Sequence, residues 1–183
     1  MQIFDVVVIG TGPGGYVSAI RAAQLGEKVA IVEKHKVGGI YLNVGCISSK
    51  TYLQYSDTVR KIRQANDWGI ETNEPHINFD KLRERKDKIV KTLTGGVQHL
   101  LKNNGITVFE GEAAVDKNNT VTIGEEKIEA KDVILATGST PFIPPISELE
   151  QVDYETTDTL FEMTKLQTSE REPITSTRNE ASS

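Results

Sequence analysis

Hydrophobic and polar positions alternate in blocks along the first part of the chain. The segment IFDVVVIG, residues 3–10, is β-branched and almost wholly apolar, which is typical of a strand covered on both faces. Residues 11–26, TGPGGYVSAIRAAQLG, carry apolar side chains at helical spacing and end at a glycine. Residues 28–34, KVAIVEK, have the pattern of a second strand. Together these blocks predict a right-handed βαβ unit with parallel strands.

Two helices are predicted in the middle of the chain. The first runs from Ser49 to about Ala65, with aromatic and aliphatic residues three and four positions apart. The second follows Asn78, a good N-cap residue, and ends at the NNG sequence of residues 103–105. Two adjacent glycines, Gly95 and Gly96, weaken the middle of this second helix.

The following segment returns to β patterns. ITVFEG, residues 106–111, predicts a third strand. Residues 112–139 alternate short β runs with Asn-Asn and Gly-Glu turns, which indicates a small antiparallel meander, and DVILATG near its end reads as a buried strand. The expected fold class is therefore α/β, with a parallel sheet, helices and an antiparallel β-meander.

The same patterns divide the chain into three parts. Residues 1–145 are expected to form one domain, and residues 146–166, which follow three prolines, a connector with a short helical piece. Residues 167–183 have almost no apolar content, so we expect a disordered polar tail.

Composition and charge narrow the possible functions. The net charge of -5 and the pI near 5.3 argue against nucleic acid or an anionic membrane as a partner. No basic leader or long apolar run is present near the start, so a cytoplasmic location is expected. The single cysteine, Cys46, cannot form an internal disulfide, and it is a small buried residue, a reactive thiol or a remnant. No metal site is expected, and three histidines in polar or helical surroundings are expected at the surface: His35, His76 and His99.

The clearest chemical motif lies between the first strand and the first helix. Gly10, Gly12 and Gly15 form G-x-G-x-x-G, in which the glycines allow a tight turn, a close approach of pyrophosphate and close helix packing. The phosphates would lie at the helix N-terminus, where free amides and the helix dipole attract anions. Glu33 ends the second strand, 33 − 12 = 21 residues after the middle glycine, where its carboxylate can accept hydrogen bonds from ribose. These residues indicate a dinucleotide site but do not separate FAD from NAD.

A second signal lies far along the chain. Thr137, Gly138 and Ser139 stand at the C-terminal end of the predicted parallel strand in DVILATGS, at the edge where open α/β sheets bind ligands. An ordinary turn would explain these residues alone. Combined with the glycine motif, they favour a dinucleotide that extends across the end of the sheet.

The order of four segments resembles the flavoprotein disulfide reductases, and among them the dihydrolipoyl dehydrogenases. These segments are VVVIGTGPGGYVSAIRAAQLG, VAIVEK, GGIYLNVGCISSKTYL and DVILATGSTP, and the resemblance covers residues 1 to about 166. It implies a Rossmann-like FAD-binding domain, with FAD rather than NAD as the ligand here. In this family an NAD domain and an interface domain follow, so the chain is expected to be truncated. The family's partners are the lipoyl domains of 2-oxoacid dehydrogenase complexes and a second subunit.

The resemblance also implies which residues contact FAD. Gly39 would border the phosphates, Lys50 would lie beside the isoalloxazine, and Ala113 would touch the adenine through its backbone. The full set expected to bind the cofactor is Gly10, Gly12, Gly15, Glu33, Lys34, Gly39, Lys50, Ala113, Thr137 and Gly138.

The chain departs from the family pattern at the redox loop. The family has two cysteines here, which form a redox disulfide; Tyr41 occupies the first position and Cys46 the second. Ile40 replaces a threonine, and Ser48 replaces a proline, which is expected to loosen the start of the helix. The expected function is the FAD-binding part of a dihydrolipoyl dehydrogenase-like oxidoreductase that does not complete turnover. The alternatives are a non-catalytic FAD-binding remnant and a flavin reductase that needs no thiol pair.

Overall fold

A computed structural model describes residues 1–152 and 154–165, so the tail predicted over residues 167–183 lies outside the described part. The strands are β1 (Gln2–Ile9), β2 (Val29–Glu33), β3 (Thr107–Glu110), β4 (Ala113–Val115), β5 (Thr120–Ile123) and β6 (Glu126–Leu135). The helices are α1 (Pro13–Gln24), α2 (Gly39–Asn43), α3 (Cys46–Arg63) and α4 (Phe79–Asn103). Short 3₁₀ helices cover Ala65–Trp68, Leu149–Gln151 and Leu160–Glu162.

All six strands form one sheet in the order β3-β2-β1-β6-β5-β4. β1 lies in the parallel part, where Val7 is opposite Ala30 of β2 on one side and Val133 of β6 on the other. β3 continues the parallel part beside β2. The predicted α/β class with a parallel sheet is confirmed.

The antiparallel strands β4, β5 and the first part of β6 form the predicted meander. Only Gly111 and Glu112 join β3 to β4, although these strands stand at opposite ends of the sheet order. Three Cα steps span at most about 11 Å, whereas five strand spacings in a flat sheet measure about 24 Å. The sheet therefore curls until the meander lies over the parallel strands. A buried core fills the space between the two layers and includes Phe4, Val7, Val32, Val121 and Ile128.

Helices cover the opposite face of the parallel strands. A second buried cluster joins Val8 and Ile31 of the sheet to Ala19 of α1, Leu42 of α2 and Leu101 of α4. Since α1 and α2 both pack here, their N-terminal ends are held close to the carboxyl ends of β1 and β2.

The helix α4 begins and ends where the sequence predicts. The side chain of Asn78 accepts a hydrogen bond from the Lys81 amide at 3.0 Å, which is the predicted N-cap. α4 continues through Gly95 and Gly96 to Asn103 without a break. Its packing against α3 and the helix side of the sheet therefore outweighs the poor helix propensity of the two glycines.

The segment that follows β6 returns to the helix side. Phe161, in the last 3₁₀ helix, is 7% exposed and packs on Tyr52 of α3 with ring centroids 5.5 Å apart. The Lys86 ammonium of α4 donates to the Phe161 carbonyl oxygen at 2.8 Å. These contacts attach the predicted connector to α3 and α4.

Two sequence expectations about elements are wrong. α3 begins at Cys46, three residues before Ser49, and the preceding loop contains the unpredicted helix α2. DVILATG is not a separate buried strand, because its strand residues are the last part of β6, where Leu135 is 70% exposed. β5 pairs only with residues 126–129 of β6, so within the described residues the outer edge of β6 lacks a strand partner beyond the first few positions.

Candidate functional site

The glycine turn between β1 and α1 is tightly packed. Gly10 has φ +99°, and a Cβ atom there would lie 2.3 Å from the Ala136 carbonyl oxygen. A Cβ atom at Gly15 would lie 1.9 Å from the carbonyl oxygen of Gly10. Any side chain at these two positions would therefore force the helix or the neighbouring strand end to move, as the motif predicts.

Gly12 differs from these two glycines because its surroundings are open. It is the N-cap of α1, and no atom of the described residues lies within 4 Å of its ideal Cβ position. Within residues 1–152 and 154–165, no side chain caps this helix end, and the first turn carries no acidic residue. The amides and the dipole at the start of α1 are therefore available to an anion.

Two further segments meet the glycine turn. Gly39, with φ +59°, lies against Gly12, since its ideal Cβ position is 2.9 Å from the Gly12 Cα. On the other side, the Ala136 amide donates to the Ile9 carbonyl at 2.8 Å, which places Thr137 and Gly138 beside Gly10. Residues that are far apart in the sequence thus meet at the carboxyl edge of the sheet, and we call this junction the crevice.

Glu33 ends β2 beside this crevice and is held by three hydrogen bonds. The Thr11 amide donates to Glu33 Oε2 at 2.9 Å, and the Thr11 hydroxyl donates to the same oxygen. The His35 amide donates to Glu33 Oε1 at 2.9 Å. Partial burial raises the pKa of Glu33, but the bonds from Thr11 and His35 outweigh it, so the pKa is lowered from 4.5. The carboxylate is therefore ionised at neutral pH.

Sequence reasoning missed Thr11. Its side chain is 0% exposed, and its hydroxyl accepts a hydrogen bond from the Gly38 amide at 3.1 Å. The available signal was a polar, β-branched residue between two glycines, at the end of an apolar strand. This signal does not reveal the partners, because they come from segments 22 and 27 positions away.

Lys34 and Ala113 lie at the β3 side of the crevice. The Gly111 amide donates to the Glu33 carbonyl at 2.8 Å, and the Lys34 ammonium is 3.7 Å from the Glu112 carboxylate. The fold-back of β4 therefore brings Ala113 close to the end of β2. This arrangement puts two residues from the expected set beside Glu33.

The expected redox residues lie on the consecutive helices α2 and α3. Tyr41 belongs to α2 and is 38% exposed, while Cys46 is the first residue of α3 and is exposed. Lys50 is one turn further along α3, on the same face as Cys46. The thiol and the ammonium therefore lie on the same face of α3, and both side chains are exposed.

Ser48 does not loosen the start of α3. It is fully buried, and its hydroxyl donates to the Asn43 carbonyl at 2.9 Å, which ties the end of α2 to the first turn of α3. The expectation was wrong because the lost proline is replaced by a hydrogen bond between the two helices.

The three histidines are exposed, as expected.

Comparison with known proteins decides the family. The sequence model described as "Pyridine nucleotide-disulphide oxidoreductase" matches residues 4–177 of this chain. The chain belongs to this family.

Curated relatives agree with this assignment. The dihydrolipoyl dehydrogenase of Acholeplasma laidlawii is 44% identical over 149 residues, covering 81% of this chain and 44% of that protein. A dihydrolipoyl dehydrogenase of Staphylococcus aureus is 46% identical over 145 residues, covering 77% of this chain and 31% of that protein. One from Bacillus subtilis is 40% identical over 176 residues, covering 89% of this chain and 37% of that protein. The chain thus spans less than half the length of these relatives.

A solved structure supports the fold assignment of this pyridine nucleotide-disulphide oxidoreductase. The Cu(II) complex of the HOCl-induced flavoprotein disulfide reductase RclA from Escherichia coli superposes with a TM-score of 0.64 and 27% sequence identity. The match covers 80% of this chain and 31% of that one. The expected Rossmann-like fold of this oxidoreductase family is confirmed.

Family membership implies FAD as the cofactor, and the crevice fits a dinucleotide of this kind. The start of α1 is uncapped, Gly12 and Gly39 present backbone instead of side chains, and Glu33 supplies an ionised acceptor. Among the described residues, no helix is long and apolar enough to cross a membrane.

Proposed function

We propose that this chain is the FAD-binding part of a dihydrolipoyl dehydrogenase-like oxidoreductase. The observation that carries the proposal is the crevice at the carboxyl edge of the sheet, where Gly12, Gly39 and Glu33 come together. A pyrophosphate would lie beside the backbone of the two glycines, because no side chain of the described residues approaches the open side of Gly12. The ribose of the adenosine half fits beside the carboxylate that closes β2.

The remaining residues would hold the two ends of the cofactor. Ala113 would meet the adenine through its backbone, with Lys34 nearby, since both lie at the β3 side of Glu33. Thr137 and Gly138 would line the middle of the cofactor, and Lys50 would lie beside the flavin ring. When bound, FAD supplies the group that accepts and returns electrons.

The chain is proposed to bind flavin without completing dithiol oxidation. Its only cysteine is Cys46, and Tyr41 stands where the resemblance places the first thiol of the pair. One thiol cannot form an internal disulfide, so electrons from a dithiol have no disulfide through which to reach the flavin. A thiol-independent flavin reductase is the second candidate, and the same single cysteine favours it. A cytoplasmic location, lipoyl-domain partners and a homodimer belong to the proposal by family analogy alone.

FAD binding to the purified chain tests the first part of the proposal. We expect FAD to co-elute with the protein in gel filtration and its fluorescence to change on titration. Gly12→Ala should keep the fold, because a methyl group there meets no atom of the described residues within 4 Å other than its chain neighbours. It should weaken FAD binding by roughly tenfold or more by blocking the pyrophosphate.

The matched control is Gly95→Ala, in the middle of α4. Its added methyl group also meets no atom of the described residues within 4 Å. This variant should bind FAD like the parent chain. Its free energy of unfolding should be about 1 kcal/mol higher, because alanine is the better helix former. A parent chain that binds no FAD would overturn the proposal, and equal affinity of Gly12→Ala and Gly95→Ala would place the cofactor elsewhere.

A further inference from the structure

We propose that Thr11 is the positioning residue of the dinucleotide site. Through one hydroxyl group it holds Glu33 and the segment between β2 and α2 that contains Gly38, called the Gly38 loop, in their binding arrangement. The identity of the ligand rests on the proposed function. The hydrogen bonds of the Thr11 hydroxyl are present in the chain without a ligand, so they can be tested separately from FAD binding.

The Thr11 hydroxyl joins three segments of the chain. It lies in the turn between β1 and α1, donates to Glu33 at the end of β2, and accepts from the Gly38 amide before α2. The side chain is completely buried, so the Thr11 hydroxyl is out of reach of bulk water. Gly39, next to Gly38, is the residue that lies against Gly12. One hydroxyl therefore fixes both the ribose acceptor and the backbone that borders the phosphates.

The network also assigns different roles to the two oxygens of Glu33. A carboxylate oxygen accepts about two hydrogen bonds. Oε2 already accepts two, from the amide and the hydroxyl of Thr11. Oε1 accepts one, from the His35 amide. The remaining acceptor position on Oε1 is therefore the one available to a ribose hydroxyl, and Thr11 keeps it oriented by occupying Oε2.

Thr11→Val tests the hydroxyl, because valine keeps the β-branching of threonine and carries a methyl group of similar size in place of the hydroxyl. The Gly38 amide then has no side-chain acceptor, and Glu33 loses one hydrogen bond. We expect FAD affinity to fall by roughly tenfold or more, the effect of losing one hydrogen bond to a charged group. Thr11→Ser restores the hydroxyl and should bind FAD within about threefold of the parent.

Thr58→Val is the matched control. The Thr58 hydroxyl also donates to an oxygen, the Gln54 carbonyl, but on the exposed side of α3 and outside the network. This variant should leave FAD affinity unchanged. Equal affinities of Thr11→Val and the parent would overturn the proposal, as would equal losses in Thr11→Val and Thr11→Ser, which would point to side-chain shape.

The titration of Glu33, followed by carboxyl NMR in the flavin-free chain, is a readout that simple loss of stability would not move. Thr11→Val should raise the pKa of Glu33, and Thr11→Ser should return it towards the parent value. The charged groups around this carboxylate are His35 and Lys34 in the same turn, Glu110 of β3 and Glu112. The titration is repeated with His35→Gln to separate the effect of that side chain.

The two proposals fail in different ways. If the parent binds no FAD, the proposed function fails, while the Glu33 titration still supports or overturns the role of Thr11. If Thr11→Val does not fold, hydrogen exchange of the Gly38 amide in the parent chain tests the role of Thr11 instead. Strong protection supports the bond to Thr11, and exchange as fast as an open loop overturns it.

Discussion

At the scale of single residues, Glu33 links stability to ligand binding. Partial burial raises the pKa of its carboxyl group, and the hydrogen bonds from Thr11 and His35 lower it further than burial raises it. The folded chain therefore holds the ionised form more strongly than the unfolded chain does. The same bonds that orient Glu33 towards a ribose also contribute to the free energy of unfolding.

The sign of this linkage predicts a pH dependence. A carboxyl group whose pKa is lowered from 4.5 on folding stabilises the protein above that value, and the contribution is lost as pH falls through the lowered pKa. Glu33→Gln should therefore lower the melting temperature at neutral pH, and the difference from the parent should shrink in acid. Thermal unfolding followed by circular dichroism across the acid range measures it.

Glu125→Gln, in the exposed turn between β5 and β6, serves as control at neutral pH because it removes a surface carboxylate. A gap between parent and Glu33→Gln that stays constant down to strong acid would contradict the linkage.

The individual residues of the site differ in how well the sequence reveals them. Gly10 and Gly15 follow from motif spacing, because a tight turn and close packing demand glycine whatever the remaining fold. Thr11 does not, since its role appears only when the end of β2 and the Gly38 loop reach the same buried hydroxyl. Local chemistry can be read from the sequence, but a junction of three segments cannot.

At the scale of elements, β6 has two different halves. Its first residues lie between β1 and β5, while its last residues pair with β1 alone within the described part of the chain. Leu135, at that end, is 70% exposed. Open strand edges with apolar side chains are templates for pairing with another chain.

Leu135→Lys should therefore reduce self-association, because a charged side chain at an open edge disfavours pairing with a second strand. Leu25→Lys is the matched control, since Leu25 is 65% exposed but lies at the end of α1, away from any strand edge. Sedimentation velocity over a range of concentrations compares the two variants with the parent. Equal association of Leu135→Lys and the parent would show that this edge does not pair.

The differences between expected and observed elements have a common cause. The sequence predicts the positions of β1, α1, β2 and α4 correctly, because each element has a strong hydrophobic periodicity and a clear end. The start of α3 and the whole of α2 are not predicted because Gly38, Gly39 and Gly45, in and beside these two segments, disfavour helix. The contacts that stabilise them are tertiary, such as Ser48 with Asn43.

At the scale of the whole molecule, the curl of the sheet completes the site. It brings Ala113 beside the end of β2 through a linker of two residues, Gly111 and Glu112. The strand patterns predict a meander but not the direction in which it folds, because that depends on burial of the apolar cluster between the two layers. The fold class was therefore predictable, while the closure of the crevice on its β3 side was not.

Electron transfer is a property of the whole molecule, and a flavin-loaded chain tests it. Dihydrolipoamide added without oxygen should leave the visible flavin band unchanged, because Cys46 alone cannot form the internal disulfide that would pass electrons on. Bleaching by dihydrolipoamide would contradict this expectation. Cys46→Ser is the control, since it removes the remaining thiol. Bleaching by NADH in both proteins would favour the thiol-independent flavin reductase.

The central place of β1 has a consequence for biosynthesis. β1 leaves the ribosome before the other described strands, yet one of its two neighbours is β6, whose residue Ile128 pairs with Gln2. Until that late segment emerges, the nascent chain carries a strand with one bare side and an unfinished core. Early translation products are therefore the form of this protein that most needs a chaperone.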